Sequence, residues 1–92
     1  MAYCTLLEFD SAFPFDRYQE LNDRADGHAT LPDGCLSRVV GHPDGAAMII
    51  EVWRSADDAH RFSEKNTHLL AEFGMPAPTR VAAFDTAIFQ TG

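Results

Sequence analysis

The stretch Ala46-Ala-Met-Ile-Ile-Glu-Val-Trp-Arg54, closed by Ser55-Ala-Asp-Asp58, decides how this chain is read. It is nearly unbroken in apolar residues, too short for a buried helix and rich in β-branched side chains. The expectation is therefore a β-strand. Alternation puts Ile49, Glu51 and Trp53 on one face and Met48, Ile50 and Val52 on the other. Both faces are largely apolar, which is the pattern of a central strand covered on both sides. Glu51 then sits in a mostly apolar row beside the only tryptophan of the chain. That pair marks where a site is to be sought.

Downstream, Ser55 reads as the N-cap of a helix, with Asp58 three residues on able to answer it in the manner of a capping box. Asp57 and Asp58 suit the positive end of the helix dipole. Gly74 stops the helix, and Pro76 and Pro78 prevent its resumption. Its inward stripe is Ala59, Phe62, Asn66, Leu69, Leu70 and Phe73. A last strand is expected from Arg80 to Phe89, with Asp85 in its middle.

Upstream, His42-Pro-Asp-Gly45 is a hairpin turn, in which Gly45 can take a positive φ, and it joins the central strand to a strand at Cys35–Gly41. Pro32-Asp-Gly34 is a turn at the end of the loop that begins at His28. Nearer the start, Tyr3 to Phe9 is a strand and Ser11-Ala-Phe-Pro14 a connector. A helix follows from about Phe15 to Ala25, ended by Gly27. Tyr18, Leu21, Asn22 and Ala25 form its inner face. The order is β-α-β-β-α-β. Its expected fold is α+β and ferredoxin-like: a four-stranded antiparallel sheet with both helices on one face, in one domain over residues 1–92.

A chain of 92 residues has room for one layer of helices on a sheet. The opposite sheet face, also apolar, then calls for a second copy, so a homodimer is expected. The formal net charge of −7 argues against nucleic acid and anionic membranes as partners. No apolar run approaches the roughly 20 residues of a membrane span. The start, Met1-Ala-Tyr-Cys-Thr-Leu-Leu-Glu8, lacks the basic region of a signal peptide. Cys4 and Cys35 fall in different strands and read as free thiols in a reducing cytoplasm.

Several of these residues carry a resemblance. Pro32-Asp-Gly34 before the second strand, Glu51-Val-Trp-Arg-Ser55, Phe62 and Gly74-Met-Pro-Ala-Pro78 resemble a small bacterial branch of the dimeric α/β-barrel superfamily, the antibiotic-biosynthesis-monooxygenase-like proteins. The resemblance implies a homodimer whose two sheets close into a barrel, with a pocket in each subunit between sheet and helices. It implies a hydrophobic aromatic or polyketide-like ligand and, for several members, monooxygenase or cyclase chemistry without a bound cofactor. The haem-degrading branch is marked by an Asn in the first strand, a Trp ending the third and a His in the second helix. Trp53 matches, but the first strand has no Asn, and His60 and His68 do not stand where the haem ligand is expected. The small branch also tends to carry a His in the second strand, near the place where this chain has Arg38.

Four constellations are weighed on their own chemistry. Trp53 with Glu51 offers an aromatic wall and a carboxylate suited to general acid or base work; the structural alternative is a core Trp and a Glu that reaches solvent or pairs with Arg38. Asn66 and Asn22, in the helices' apolar stripes, and the Tyr18 hydroxyl would suit carbonyl or phenol oxygens of a ligand, or else bond to backbone. Glu51, Asn66 and Tyr18 are thus the candidate catalytic residues, and Trp53, Asn22, Arg38, Phe62 and Asp85 the candidate substrate contacts. His60, Glu64, His68 and Glu72 recur every four residues and read as a solvated face rather than a metal site. Asp85 faces the pocket, the partner sheet or solvent, depending on register. No phosphate loop, HExxH, CxxC or Ser-His-Asp pattern is present, so no metal or cofactor is expected.

Overall fold

The strand that opens the sequence reading, β3 (Ala47–Trp53), lies inside the sheet. On one side it pairs with β2 (Cys35–Gly41) and on the other with β1 (Tyr3–Phe9), while β4 (Arg80–Asp85) flanks β1. All three pairings are antiparallel, and the strand order is β2-β3-β1-β4. Helix α1 (Phe15–Asp26) follows β1 and α2 (Ala56–Glu72) follows β3. This computed structural model describes residues 1–10, 12–26 and 31–91, apart from the side chains of 25, 26 and 44. The expected end of α1 at Gly27 and the loop start at His28 lie outside the described residues. The fold is α+β and ferredoxin-like, in the expected βαββαβ order.

Register follows from the apolar pattern. Tyr3, Thr5, Leu7 and Phe9 stand opposite Trp53, Glu51, Ile49 and Ala47. Thr5 and Leu7 meet Ala83 and Val81 of β4 on their other side. Arg38 of β2 stands opposite Glu51, past an irregularity between Cys35 and Ser37. A one-residue slip would send each of these side chains through the sheet, so the buried row holds the register. The core under this face is a cluster of Phe9, Phe13, Ala47 and Ile49, packed with Leu7, Phe15, Tyr18 and Met75. Ala47 is fully buried, which lets the Phe9 and Phe13 rings close to 4.5 Å.

Helix α2 begins as expected: the Asp58 N–H donates to the Ser55 hydroxyl at 3.2 Å. The reciprocal half of a capping box does not form. The Asp58 carboxylate accepts instead from Arg54 Nε at 3.0 Å and from Arg61. An aspartate is one methylene shorter than the glutamate of a capping box, and two guanidinium groups lie within its reach. The other end is a Schellman motif. Met75 N–H donates to the Leu70 carbonyl at 2.9 Å, Gly74 N–H to Ala71 at 3.1 Å, and Gly74 takes φ +65°.

Three local expectations change. The hairpin turn is a short 3-10 turn at Pro43–Gly45, with Gly45 at φ +82° as expected. β4 stops at Asp85 and does not reach Phe89. Its ladder partner β1 begins at Tyr3, and Thr86 N–H donates to the Ala2 carbonyl at 2.8 Å just past the last paired residues. Phe13, expected in a mere connector, is buried in the core. It stacks within 4.9 Å of Phe15 and 5.4 Å of Tyr18, and so pins the β1–α1 corner.

Candidate functional site

Between the sheet and the helices lies a cavity of about 290 Å³. That is at the lower end of the range of small-molecule sites, about 300–1,000 Å³. Its floor is one pleat face of the sheet: Tyr3, Thr5 and Leu7 of β1, Ile49, Glu51 and Trp53 of β3, Arg38 of β2, and Val81 and Ala83 of β4. Its roof is Tyr18, Leu21 and Asn22 of α1 with Ala59, Phe62 and Asn66 of α2. Leu70 and Val81 line the cavity yet are largely exposed, so it opens towards β4.

Trp53 is the most sequestered part of this wall, only 1% exposed, with its ring 5.3 Å from Phe62. Its indole Nε1–H is buried and has no hydrogen-bond partner among the described residues. Leaving such a donor unmet costs on the order of 1–3 kcal/mol.

Glu51 faces the same space but is already engaged. Arg38 Nε donates to its Oε2 at 2.7 Å, and the two side chains are 11% and 13% exposed. This is the pairing expected as the structural alternative for Glu51. The guanidinium brings a fixed positive charge to the cavity floor. Asn66 donates through Nδ2 to the Phe62 carbonyl at 3.0 Å, one turn back in its own helix. Its carboxamide oxygen has no further bond among the described residues.

The cavity thus brings together Glu51, Asn66, Tyr18, Trp53, Asn22, Arg38 and Phe62. Asp85 stands apart: it pairs in register with Tyr3, is exposed at the end of β4, and does not line the cavity. His60 was missed by sequence reading, which placed it on the solvated side of α2. It is exposed, as that reading requires, but it also lines the cavity rim, its ring 6.0 Å from that of Tyr3 in an edge-to-face arrangement. The signal was its position next to Ala59 of the inward stripe. Glu64, His68 and Glu72 are exposed, and Glu72 meets Arg24 at 3.4 Å. Among the described residues, no three His, Cys, Asp or Glu side chains converge as a metal site. Cys4 lies on the opposite sheet face, where burial pushes its thiol pKa up and keeps it unreactive. Among the described residues no helix is long and apolar enough to cross a membrane.

No protein-family model matches the chain, and no curated protein matches it. Solved structures do. A candidate antibiotic biosynthesis monooxygenase from Chloroflexus aurantiacus is 20% identical, with 99% of this chain and 98% of that chain covered, at a TM-score of 0.67. A protein from Mycobacterium tuberculosis is 16% identical, covering 99% and 100% of the two chains, at a TM-score of 0.69. A monooxygenase from Streptomyces coelicolor, solved in complex with nanaomycin D, is 14% identical over 98% of this chain and 93% of that one, at a TM-score of 0.60. These likenesses establish a shared fold along the length of the chain.

Proposed function

We propose that this protein is a small enzyme that acts on a hydrophobic aromatic or polyketide-like molecule, in the manner of a cofactor-independent monooxygenase or a cyclase. The observation that carries the reading is the largely apolar cavity between sheet and helices, walled by Trp53 and Phe62, with Arg38 and Glu51 on its floor. A cavity needing only water would be poorly served by a lining this apolar. A flat ring fits against Leu7, Ile49 and Phe62, with its phenol or carbonyl oxygen towards the few polar groups of the lining. The shared fold with named monooxygenases, one of them holding nanaomycin D, supports the same reading.

In the monooxygenase version a phenol gives its proton to Glu51, and the resulting phenolate carries carbanion character on the ring. The ring carbon forms a bond to dioxygen, and the peroxide loses water. One oxygen atom leaves as water and the other remains as the new quinone carbonyl. The Arg38 charge stabilises the oxyanion throughout. In the cyclase version the same groups hold an enolate while the cavity folds the chain for ring closure. Tyr18, Asn22 and Asn66 orient the ligand's remaining oxygens. A second reading, a non-catalytic ligand-binding homodimer, is favoured by one observation: the Glu51 carboxylate is already held by Arg38 at 2.7 Å.

The dimer belongs to either version. The second sheet face carries Leu6, Met48, Ile50 and Val52, with Val39 60% and Phe84 51% exposed. A second copy of the same face is the occupant that matches this apolar surface. The two free cysteines suit a reducing cytoplasm.

Aerobic incubation with an α-naphthol or anthrone probe tests the catalytic reading through quinone absorbance and oxygen uptake. Turnover is expected, and Arg38→Met is expected to lose about 100-fold, as for removal of one oxyanion-stabilising group. Binding without turnover in the unaltered protein selects the accessory reading. Full activity in Arg38→Met removes Arg38 from the chemistry.

A further inference from the structure

A second concavity, of about 510 Å³, adjoins the first. Phe62 and Asn66 line both, so one turn of α2 is the partition between them. The second cleft has the opposite character. Arg54, Arg61 and Lys65 line it, three of the seven lysines and arginines in a chain of formal net charge −7. Two carboxylates, Asp33 and Asp58, share the lining, so the cleft is net positive against an acidic protein.

Asp58 does not cancel these charges so much as aim them. It is buried at the first turn of α2, fixed through its N–H to Ser55, and it holds Arg54 through Nε and Arg61 through one terminal nitrogen. Each guanidinium has five N–H donors, and only one contact of each goes to Asp58. The side chains remain 62% and 71% exposed, so their other donors face the cleft or solvent. Lys65 lies four residues beyond Arg61, on the same side of the helix, and makes no ion pair among the described residues. Two pre-positioned guanidinium groups and an uncommitted ammonium are suited to a carboxylate or phosphate.

We infer that the ligand is amphiphilic: an apolar ring body fills the cavity beside Trp53, and an acidic group is held in the neighbouring cleft by Arg54, Arg61 and Lys65. This inference rests on the proposed ligand cavity and names the class of molecule that it takes. The acidic group sits on the far side of Phe62 from the ring body, so it is attached at the ring edge or through a short chain. The cleft orients the ligand, and the chemistry stays in the cavity at Arg38 and Glu51.

The single tryptophan reports the test. Quenching of its fluorescence is titrated with α-naphthol, hydroxynaphthoate and α-naphthyl phosphate, which share a ring and differ in charge. The protein is expected to bind at least one charged probe about tenfold more tightly than the neutral one, the gain of one charge-assisted contact in a half-open site. Whichever charged probe is preferred identifies the acid as carboxylate or phosphate. The preference is expected to shrink between low salt and about 0.5 M sodium chloride. It is expected to fall towards unity in Arg61→Gln and in Lys65→Gln. The second variant breaks no contact to Asp58, so its result is free of any effect on the helix start. Arg80→Gln, on the far sheet face, is expected to leave the preference unchanged. Equal binding of neutral and charged probes, or a preference that survives both cleft variants, overturns the inference while the cavity reading stands. If no probe quenches Trp53, the cavity reading falls and this inference falls with it.

Discussion

Replacing Glu51 by leucine separates the structural and chemical roles of the cavity floor. The carboxylate lies 2.7 Å from Arg38 Nε, and both side chains are nearly buried, at 11% and 13% exposure. Removing one member of a fully buried pair costs about 3–5 kcal/mol, because the other charge is stranded. The residual exposure here lets water reach the guanidinium, which lowers the expected loss to about 2–3 kcal/mol. For a domain of this size the urea slope is near 1 kcal/mol per M, so the midpoint is expected to drop by roughly 2 M. Arg38→Met is expected to cost a similar amount. The double variant, with no stranded charge, is expected to return to within about 1 kcal/mol of the parent, giving a coupling energy of about 3–5 kcal/mol. Equilibrium urea unfolding followed by circular dichroism measures all four proteins, at one fixed protein concentration because the proposed dimer would make stability depend on it. A coupling energy below about 0.5 kcal/mol would refute the reasoning, since it would make the pair a screened surface contact. Glu51 would then be a carboxylate at liberty to act as a base. A large coupling energy sharpens the catalytic question, and Glu51→Gln answers it: in the enzyme reading that variant binds the naphthol probe and does not turn it over.

Three further outcomes follow from the geometry. The Asp58 carboxyl is held below the ordinary carboxylate range, first by the hydrogen bond from Arg54, then by Arg61 and Ser55, with burial opposing them. Between its depressed folded value and its unfolded value near 3.9 the unfolded chain binds the proton and the folded chain does not. Its contribution is therefore present above about pH 4 and lost as pH falls through the folded value; Asp58→Asn should show a flatter stability profile on acidification than the parent, and parallel profiles would count against the assignment. Gly34 takes φ +88°, and a Cβ there would lie 2.8 Å from the Asp58 side chain. Gly34→Ala is thus expected to cost about 1–3 kcal/mol in thermal or urea unfolding, and a neutral result would mean the turn can shift away from α2. On the second sheet face, Val39→Glu sets a charge in the proposed dimer contact, and sedimentation should change from dimer to monomer at micromolar concentration; a parent protein that sediments as a folded monomer would remove the dimer.

Much of the architecture was legible because it is written in local periods. The two-residue alternation of Ile49, Glu51 and Trp53 put these side chains on one face, and the sheet keeps them there. The helical stripe through Phe62 and Asn66 pointed inward, and both residues roof the same cavity. Ser55, Gly74 and the two prolines that follow marked the ends of α2 within a residue or two, since capping is a property of a few adjacent residues. The sequence by itself therefore determined the element order, the central strand and the face on which a site would lie. Tertiary structure decided what the local pattern cannot carry. The Arg38–Glu51 pair joins residues 13 apart and exists because cross-strand register sets them opposite each other. Phe13 became core through the way the β1–α1 corner turns, and β4 ended at Asp85, opposite the start of β1 at Tyr3. His60 came to the rim because the Tyr3 ring of β1 stands beside it. The unmet Trp53 Nε1–H is the furthest of these from sequence: whether a buried donor finds an acceptor depends on every chain segment that folds over it, and here none among the described residues supplies one.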